Sequence, residues 1–294
     1  MFKRIIKRKV FAIYIVILKM FGASDIAISK AKYYYKNLKF LNLDQPEDFM
    51  EKLQWLKLFY YKESYMNYVD KYEVRAFVKE RIGEQYLNSI IGVFDEVDDI
   101  NFDELPNQFA LKATHGSGFN VIVPDKTKLN IKKAKKNLCG FMKKDYSKVN
   151  QEAIYKEVKP RILAENYLPQ LEEKSIVDYK FFCFNGSVKY VWVKTFHDEK
   201  YRNCYYDLDW NKIEEENYRS NFLDLDIKRP DNFEEMIWAA EKLSQDFIFM
   251  RVDLYSIQNK IYFGELTFFP WGGKQRLTVE RFNKEFGDLI QLPI

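Results

Sequence analysis

The sequence predicts an α+β fold, and two observations predict it. Up to about residue 105, apolar positions recur at helical spacing, as in EDFMEKLQWLKLFY (47–60) and in YVDKYEVRAFVKERIG (68–83), which ends on a glycine stop. Beyond it, β-rich runs are arranged around turn signals, with no repeat, low-complexity tract or long linker.

The elements follow in order. LPNQ (105–108) breaks the helical pattern, and FALKATHGSGFNVIVP (109–124) reads as strand, glycine-containing loop, strand. LNIKKAKKNLCGFMKKDYS (129–147) reads as a basic helix whose Lys132, Lys133, Lys135, Lys136, Lys143 and Lys144 form a solvated face or attract an acidic polymer. VKPRILAENYLP (158–169) is a strand leading into a connector. DYKFFCFNGSVKYVWVKTF (178–196) is a hairpin with Asn185-Gly186 at its tip, a strong two-residue turn signal. Asp231 and Glu234 resemble a capping box for a helix through about Gln245, with Met236, Ile237, Ala240 and Leu243 on one face. The last strands form FIFMRVDLYSIQNKIYFGELT (247–267).

Composition excludes several classes. At 294 residues, with 47% apolar and 17% aromatic residues, the chain buries a full core and is not disordered. A net charge of +4 is too weak for a dedicated nucleic-acid binder. Cys139, Cys183 and Cys204 lack metal or redox spacing, which points to a reducing cytosol, and His115 and His197 alone cannot support histidine-rich metal chemistry. MFKRIIKRK followed by the nine-residue apolar run VFAIYIVIL and Lys19 is too short to span a bilayer. It fits either an amphipathic helix docked on the anionic inner face of the cytoplasmic membrane or a helix packed on the protein itself.

The last hairpin carries paired acids. Arg251 and Asp253 share one strand face, and Glu265 and Thr267 share another. With a loop of Gln258-Asn259-Lys260, Ile257 pairs with Ile261 and Asp253 falls opposite Glu265, with Cβ atoms roughly 5 Å apart. A shared divalent cation would relieve their repulsion, or Arg251 would neutralise both. A two-residue Gln-Asn turn would instead put the acids on opposite faces. Upstream, Lys112 stands on a strand just before the small-residue loop His115-Gly116-Ser117-Gly118, where backbone amides and an ammonium can meet a phosphate. It is not a Walker loop, since GxxxxGK[ST] is absent. Asp207-Leu-Asp209 matches the metal-binding DxD of nucleotide-sugar glycosyltransferases, a tripeptide common by chance.

Six ordered blocks, DKYEVR (70–75), LKATHGSG (111–118), KPRILAENYL (159–168), DYKFFCFNG (178–186), MRVDLY (250–255) and GELTFFP (264–270), resemble the TupA-like ATP-grasp family, found among bacterial genes for acidic cell-surface polysaccharides. The resemblance implies an ATP-grasp fold of two α+β subdomains with antiparallel sheets, preceded by a helical N-terminal region. It sets boundaries at an N-terminal helix (1–24), a mainly helical region (25–104) and an ATP-grasp domain (105–294) divided near residue 165. By the same resemblance Lys112 contacts nucleotide phosphates and His115, Gly116, Ser117 and Gly118 close over them. Glu165, Asn166, Tyr167 and Leu168 form the hinge at the adenine edge. Lys180 reaches the phosphates, as does Lys194, which an Asn-Gly turn would however put on the opposite face. Lys112, Lys180 and Arg251 are the implied catalytic residues, and Asp253, Glu265 and Thr267 the implied ligands of Mg²⁺ or Mn²⁺. Thr267 is a departure, since ATP-grasp enzymes commonly have Asn two residues after the metal-binding Glu. The activity implied is an ATP-dependent carboxylate-amine ligase working through an acyl phosphate, joining an amino acid or other amine to a uronic-acid carboxylate of a surface polysaccharide. A glycosyltransferase using Asp207 and Asp209 and a noncatalytic nucleotide-binding subunit are the alternatives.

Overall fold

The computed structural model describes residues 2–168, 177–197, 199–213, 221–277 and 279–293. In chain order, α1 (Phe2–Met20), α2 (Asp25–Asn37) and α3 (Phe49–Trp55) lead through a π-helical turn (Leu56–Tyr60) to α4 (Val74–Arg81) and β1 (Ile90–Phe94). Strands β2 (Phe109–Ala113) and β3 (Asn120–Val123) precede α5 (Ile131–Met142), α6 (Ser147–Asn150) and β4 (Ile162–Asn166). Then come β5 (Asp178–Phe184), β6 (Ser187–His197), β7 (Lys200–Tyr206), α7 (Phe233–Ser244), β8 (Phe249–Ile257), β9 (Lys260–Thr267) and α8 (Glu280–Asp288).

Two compact units result, and their boundaries differ from those expected. One comprises residues 1–65, 145–156 and 268–294, so the last 27 residues belong with the N-terminal helices rather than with the hairpins. Asp48 and Glu51 form a capping box that starts α3, whose Phe49 meets Phe286 of α8 edge-on at 5.3 Å, both fully buried. Fully buried Lys57 donates to the Asn150 carbonyl at 2.8 Å and the Gly272 carbonyl at 3.2 Å, binding three separated segments. Helix α1 lies on α2 through Phe11, stacked on Tyr34 at 4.1 Å, and through Arg8, which donates to the Lys36 carbonyl. The opposite face, with Ile6, Val10, Ile13 and Ile17, is exposed. Among the described residues no helix is long and apolar enough to cross a membrane.

The other unit, residues 66–144 and 157–267, holds two antiparallel sheets. The four-stranded sheet runs β1-β4-β2-β3 and the five-stranded sheet β7-β6-β5-β8-β9. In the first, Phe109, Leu111 and Val123 pack with Ala134 and Leu138 of α5. In the second, Phe181 meets Phe233 of α7, and Cys183 lies near the Ala240 carbonyl. Period-two alternation therefore leaves Lys112 of β2 and Asp178 and Lys180 of β5 on the faces the helices do not cover. Strand β1 lies inside the stretch expected to be helical; its IIGVF pairs with β4 and is held by that partner, not by an alternating pattern of its own. Strand β7 was also not foreseen. Helix α7 forms where expected, but the capping box does not: Asp231 pairs with Lys228 and Glu234 with Arg229, and the N-cap Asn232 makes no capping bond because its side chain accepts from Ser256 Oγ at 2.9 Å and donates to the Asn259 carbonyl at 3.1 Å.

Candidate functional site

The uncovered face of the five-stranded sheet is written in rows. Across one row, register places Trp192 (β6), Lys180 (β5), Asp253 (β8) and Glu265 (β9) side by side; across the next stand Asn203 (β7), Lys194 (β6), Asp178 (β5) and Tyr255 (β8). Asp253 does face Glu265, but not through a three-residue loop. Ile257 pairs with Lys260 around a two-residue Gln258-Asn259 turn, which alone would separate the acids. A bulge at Gly264 then adds one residue to β9 and restores the pairing. A bulge at Lys189 does the same for β6, bringing Lys194 opposite Asp178 and onto the face of Lys180, against the expectation from the Asn-Gly turn.

Arg251, one row beyond, is buried and ties the acids together. Its Nε and Nη2 donate to the two oxygens of Asp253 at 2.7 Å each, and Nη2 also reaches Glu265 Oε1 at 3.2 Å and Thr267 Oγ1 at 3.0 Å. Lys180 donates to Asp253 and, at 2.6 Å, pairs with Asp178. Burial would raise the Asp253 carboxyl, but Arg251 and Lys180 outweigh it and hold it below the usual carboxylate range. Asp178 goes the other way: burial pushes it up against the pull of Lys180, and the charge on Asp253 adds to the rise. Two opposed carboxylates with a hydroxyl beside them are hard oxygen donors that fit Mg²⁺ or Mn²⁺. Among the described residues no group of three or more His, Cys, Asp or Glu side chains could hold an ion alone. Asp253 and Glu265, 1% and 38% exposed, could share an ion only if a ligand such as a phosphate completed its coordination.

The four-stranded sheet presents Ala110 and Lys112 of β2 and Glu165 of β4 on one face. Lys112 Nζ lies 2.6 Å from Glu165 Oε2, and Arg75 of α4 approaches the other oxygen at 3.5 Å. Lys71 donates to the Gly116 carbonyl and so anchors the small-residue loop, in which Gly118 takes a left-handed φ of 75°. Burial lowers both the Lys71 ammonium and the Arg75 guanidinium. Arg161 bonds Asp70 at 3.0 Å and Glu73 at 2.7 Å, which clamps DKYEVR to KPRILAENYL.

Both faces line a single cavity of about 430 Å³, a size typical of small-molecule sites. Lys112, Ser117, Gly118, Glu165, Asn166, Leu168, Lys180, Lys194, Asp253 and Glu265 all reach it. His115 does not: its buried ring meets the Phe141 carbonyl at 3.1 Å, and burial lowers its basicity. Gly116 offers its carbonyl to Lys71, Tyr167 is buried, and Arg251 and Thr267 stand behind the carboxylates; none of these is in the cavity wall. Pro169 of the connector lies outside the described residues. Asp207 accepts from the Asn211 backbone at 2.7 Å and its side chain at 2.9 Å, closing a turn, and neither it nor exposed Asp209 lines the cavity. Sequence reasoning missed Lys71, Arg75, Asp178 and Tyr255 in the wall. Each had a signal: Lys71 and Arg75 are four apart in DKYEVR, and Asp178 and Tyr255 stand two residues from Lys180 and Asp253 on the same strand faces.

Two antiparallel α+β sheets that close on a cavity lined by lysines and carboxylates define an ATP-grasp fold. The chain belongs to the TupA-like ATP-grasp family, whose model matches residues 51–291. Solved structures similar to it include D-alanine–D-alanine ligase of Bacillus anthracis complexed with ATP, at 14% identity and a TM-score of 0.43, covering 76% of this chain and 64% of that one. The Helicobacter pylori D-alanine–D-alanine ligase is 14% identical with a TM-score of 0.42, covering 84% and 67%. D-cycloserine synthetase DcsG is 14% identical with a TM-score of 0.39, covering 76% and 70%. The chain thus spans about two thirds of the length of these structures. No curated protein matches it.

Proposed function

We propose that this protein is an ATP-dependent carboxylate-amine ligase that joins an amino acid or other amine to a uronic-acid carboxylate of a cell-surface polysaccharide or its precursor. The observation that carries the ATP-dependent chemistry is the Lys180–Asp253–Glu265 row facing Lys112 and Glu165 across one cavity. The polysaccharide context rests on the resemblance drawn from the six sequence blocks, to a family found among bacterial genes for acidic cell-surface polysaccharides. Lys112 and Lys180 neutralise the triphosphate, Ser117 and Gly118 offer backbone amides to it, and residues 165–168 meet the adenine edge with Glu165 oriented by Lys112 and Arg75. Asp253 and Glu265 would hold Mg²⁺ or Mn²⁺, with Thr267 and Arg251 orienting the carboxylates, and the ion would offset phosphate charge.

The substrate carboxylate attacks the γ-phosphate and displaces ADP; the amine then attacks the acyl carbon and phosphate leaves. The protein's contribution is charge and position, so no covalent nucleophile is required. Tyr255, whose hydroxyl is held far above its ordinary pKa by the charge on Asp178 and by burial, remains a neutral donor in the cavity wall.

The test is Mg²⁺-dependent ADP release with uronic acids paired with amino acids. Lys112→Ala should weaken ATP binding by about 1.5–3 kcal/mol, the range for a charge-assisted contact. Unchanged ATP affinity and turnover in that variant would remove Lys112 from the site, and turnover of a nucleotide sugar without ADP formation would favour a glycosyltransferase.

We also propose that α1 docks on an anionic bilayer at the cytoplasmic face. The helix contains no acidic residue, carries Lys7, Arg8 and Lys9, and exposes Ile6, Val10, Ile13 and Ile17 away from α2.

A further inference from the structure

Among the cations of the cavity wall, Lys194 differs from the others. Lys112 pairs with Glu165, Lys180 with Asp178 and Asp253, Arg75 with Glu165, and Lys71 with a backbone carbonyl. Among the described residues no carboxylate lies within ion-pairing distance of Lys194; its ammonium rests only over the ring of Tyr201, 4.4 Å from the centroid. It is half-buried, and burial together with the charge on Lys180 lowers its basicity. A cation removed from water without a counter-ion is costly, and a bound anion would remove that cost.

The surroundings identify the kind of anion. Asp178, the register partner of Lys194, lines the same cavity and keeps its buried Oδ1 without a hydrogen-bond partner among the described residues. Tyr201 lines the cavity too, yet is 63% exposed, and among the described residues only Phe196 lies edge-on to its ring besides Lys194. Phosphate groups at physiological pH have no donor for Asp178 and no apolar face for Tyr201, and the nucleoside, which has both, is assigned to the hinge at residues 165–168. Moreover, Lys194 stands two strands from β8, roughly 10 Å at ordinary strand spacing, and so away from the Asp253–Glu265 pair. A sugar acid offers all three features: a carboxylate, hydroxyl donors and a ring face of C–H groups.

We propose that Lys194, Asp178 and Tyr201 form the subsite for the anionic sugar, with the carboxylate on Lys194, a hydroxyl donating to Asp178 and the ring face on Tyr201. This rests on the ligase reading for its chemistry, but not for its binding. Lys194 then holds the carboxylate beside the phosphate-binding row, and the aromatic face of Tyr201 selects for a ring over a short linear acid. The assignment moves Lys194 from the nucleotide to the substrate.

Binding is measured on the full chain, without turnover, by ligand-observed NMR and calorimetry with methyl β-D-glucuronide, methyl β-D-glucoside and alanine. The glucuronide should bind at least about tenfold more tightly than the glucoside, the scale of one charge-assisted contact. Lys194→Met should abolish that preference and Tyr201→Ala should weaken the glucuronide about tenfold, both leaving MgATP affinity within about twofold and the melting temperature unchanged. Loss of MgATP affinity in Lys194→Met comparable to that in Lys112→Ala would overturn the assignment in favour of a phosphate contact. So would equal binding of glucoside and glucuronide, or a Lys194-dependent preference for alanine over the glucuronide. Glucuronide binding that depends on Lys194 in a protein that never releases ADP would uphold the subsite and refute the ligase.

Discussion

Replacing Arg251 by Met removes the guanidinium that holds the two acids together while keeping much of its apolar stem. Arg251 makes a bidentate pair with Asp253, which is 1% exposed, and single bonds to Glu265 and Thr267. Losing one member of a buried charge pair typically costs about 3–5 kcal/mol, because the remaining charge stays desolvated. Lys180 still neutralises part of Asp253, which places the expected loss near about 3 kcal/mol. With the cation gone, Asp253 and Glu265 repel across their register pair and attract a divalent ion more strongly. Urea unfolding of the full chain in EDTA should show the loss; at 100-fold excess over its dissociation constant, Mg²⁺ should return about 2.7 kcal/mol to the variant, more than it adds to the unsubstituted chain. Arg251→Lys should fall between the two, since it keeps the charge but not the fork. A loss below about 1 kcal/mol, or equal Mg²⁺ stabilisation of both proteins, would refute the view that Arg251 and the metal share the same carboxylates.

Two further outcomes follow from side chains outside the cavity. His115 is less basic folded than unfolded because it is buried, so the unfolded chain binds the extra proton and stability falls as pH drops below the unfolded value of about 6.5; His115→Gln should flatten the stability profile between pH 7 and 5.5, and identical slopes would show that the ring is not buried as described. Ile13→Glu with Ile17→Glu, on the face of α1 turned from α2, should abolish co-sedimentation with phosphatidylglycerol vesicles without changing the melting temperature, whereas undiminished binding would refute docking through that face.

The hairpins, the basic helix α5, the helix α7 and the lysine-and-glycine loop were legible because each depends on local signals: alternation, helical spacing or a turn dipeptide. Strand β1 and the grouping of residues 268–294 with the N-terminal helices were not, since both depend on distant partners. His115 illustrates a different limit. A histidine inside a phosphate-loop pattern suggests contact with ligand, but its neighbours Phe119 and Phe141 and the Phe141 carbonyl at the C-terminal end of α5 turn it inward. Asp178 and Tyr255 could have been found by extending the i, i+2 rule from Lys180 and Asp253, and Arg75 by noting that Glu165 needed a second cation.

Strand register shows why a right answer can rest on a wrong intermediate. Gln258 and Asn259 both take left-handed φ, 51° and 61°, so a tight two-residue turn forms without the glycine that would have announced it. A two-residue turn followed by a one-residue bulge has the same parity as a three-residue loop, and Asp253 therefore still meets Glu265. In the other hairpin the Asn-Gly turn forms as its dipeptide predicts, yet the parity it implies does not hold, because the bulge at exposed Lys189 flips everything from Tyr190 to His197. Neither bulge is fixed by local preference. At Gly264 the cause is close packing: a Cβ there would lie 2.9 Å from the Asp253 carbonyl oxygen, so only glycine fits the extra position. Each bulge sits between a turn and the cavity, and each re-aims a charged side chain, Glu265 in one case and Lys194 in the other. Without them the same two hairpins would carry both charges on the face covered by α7, where neither could meet a ligand.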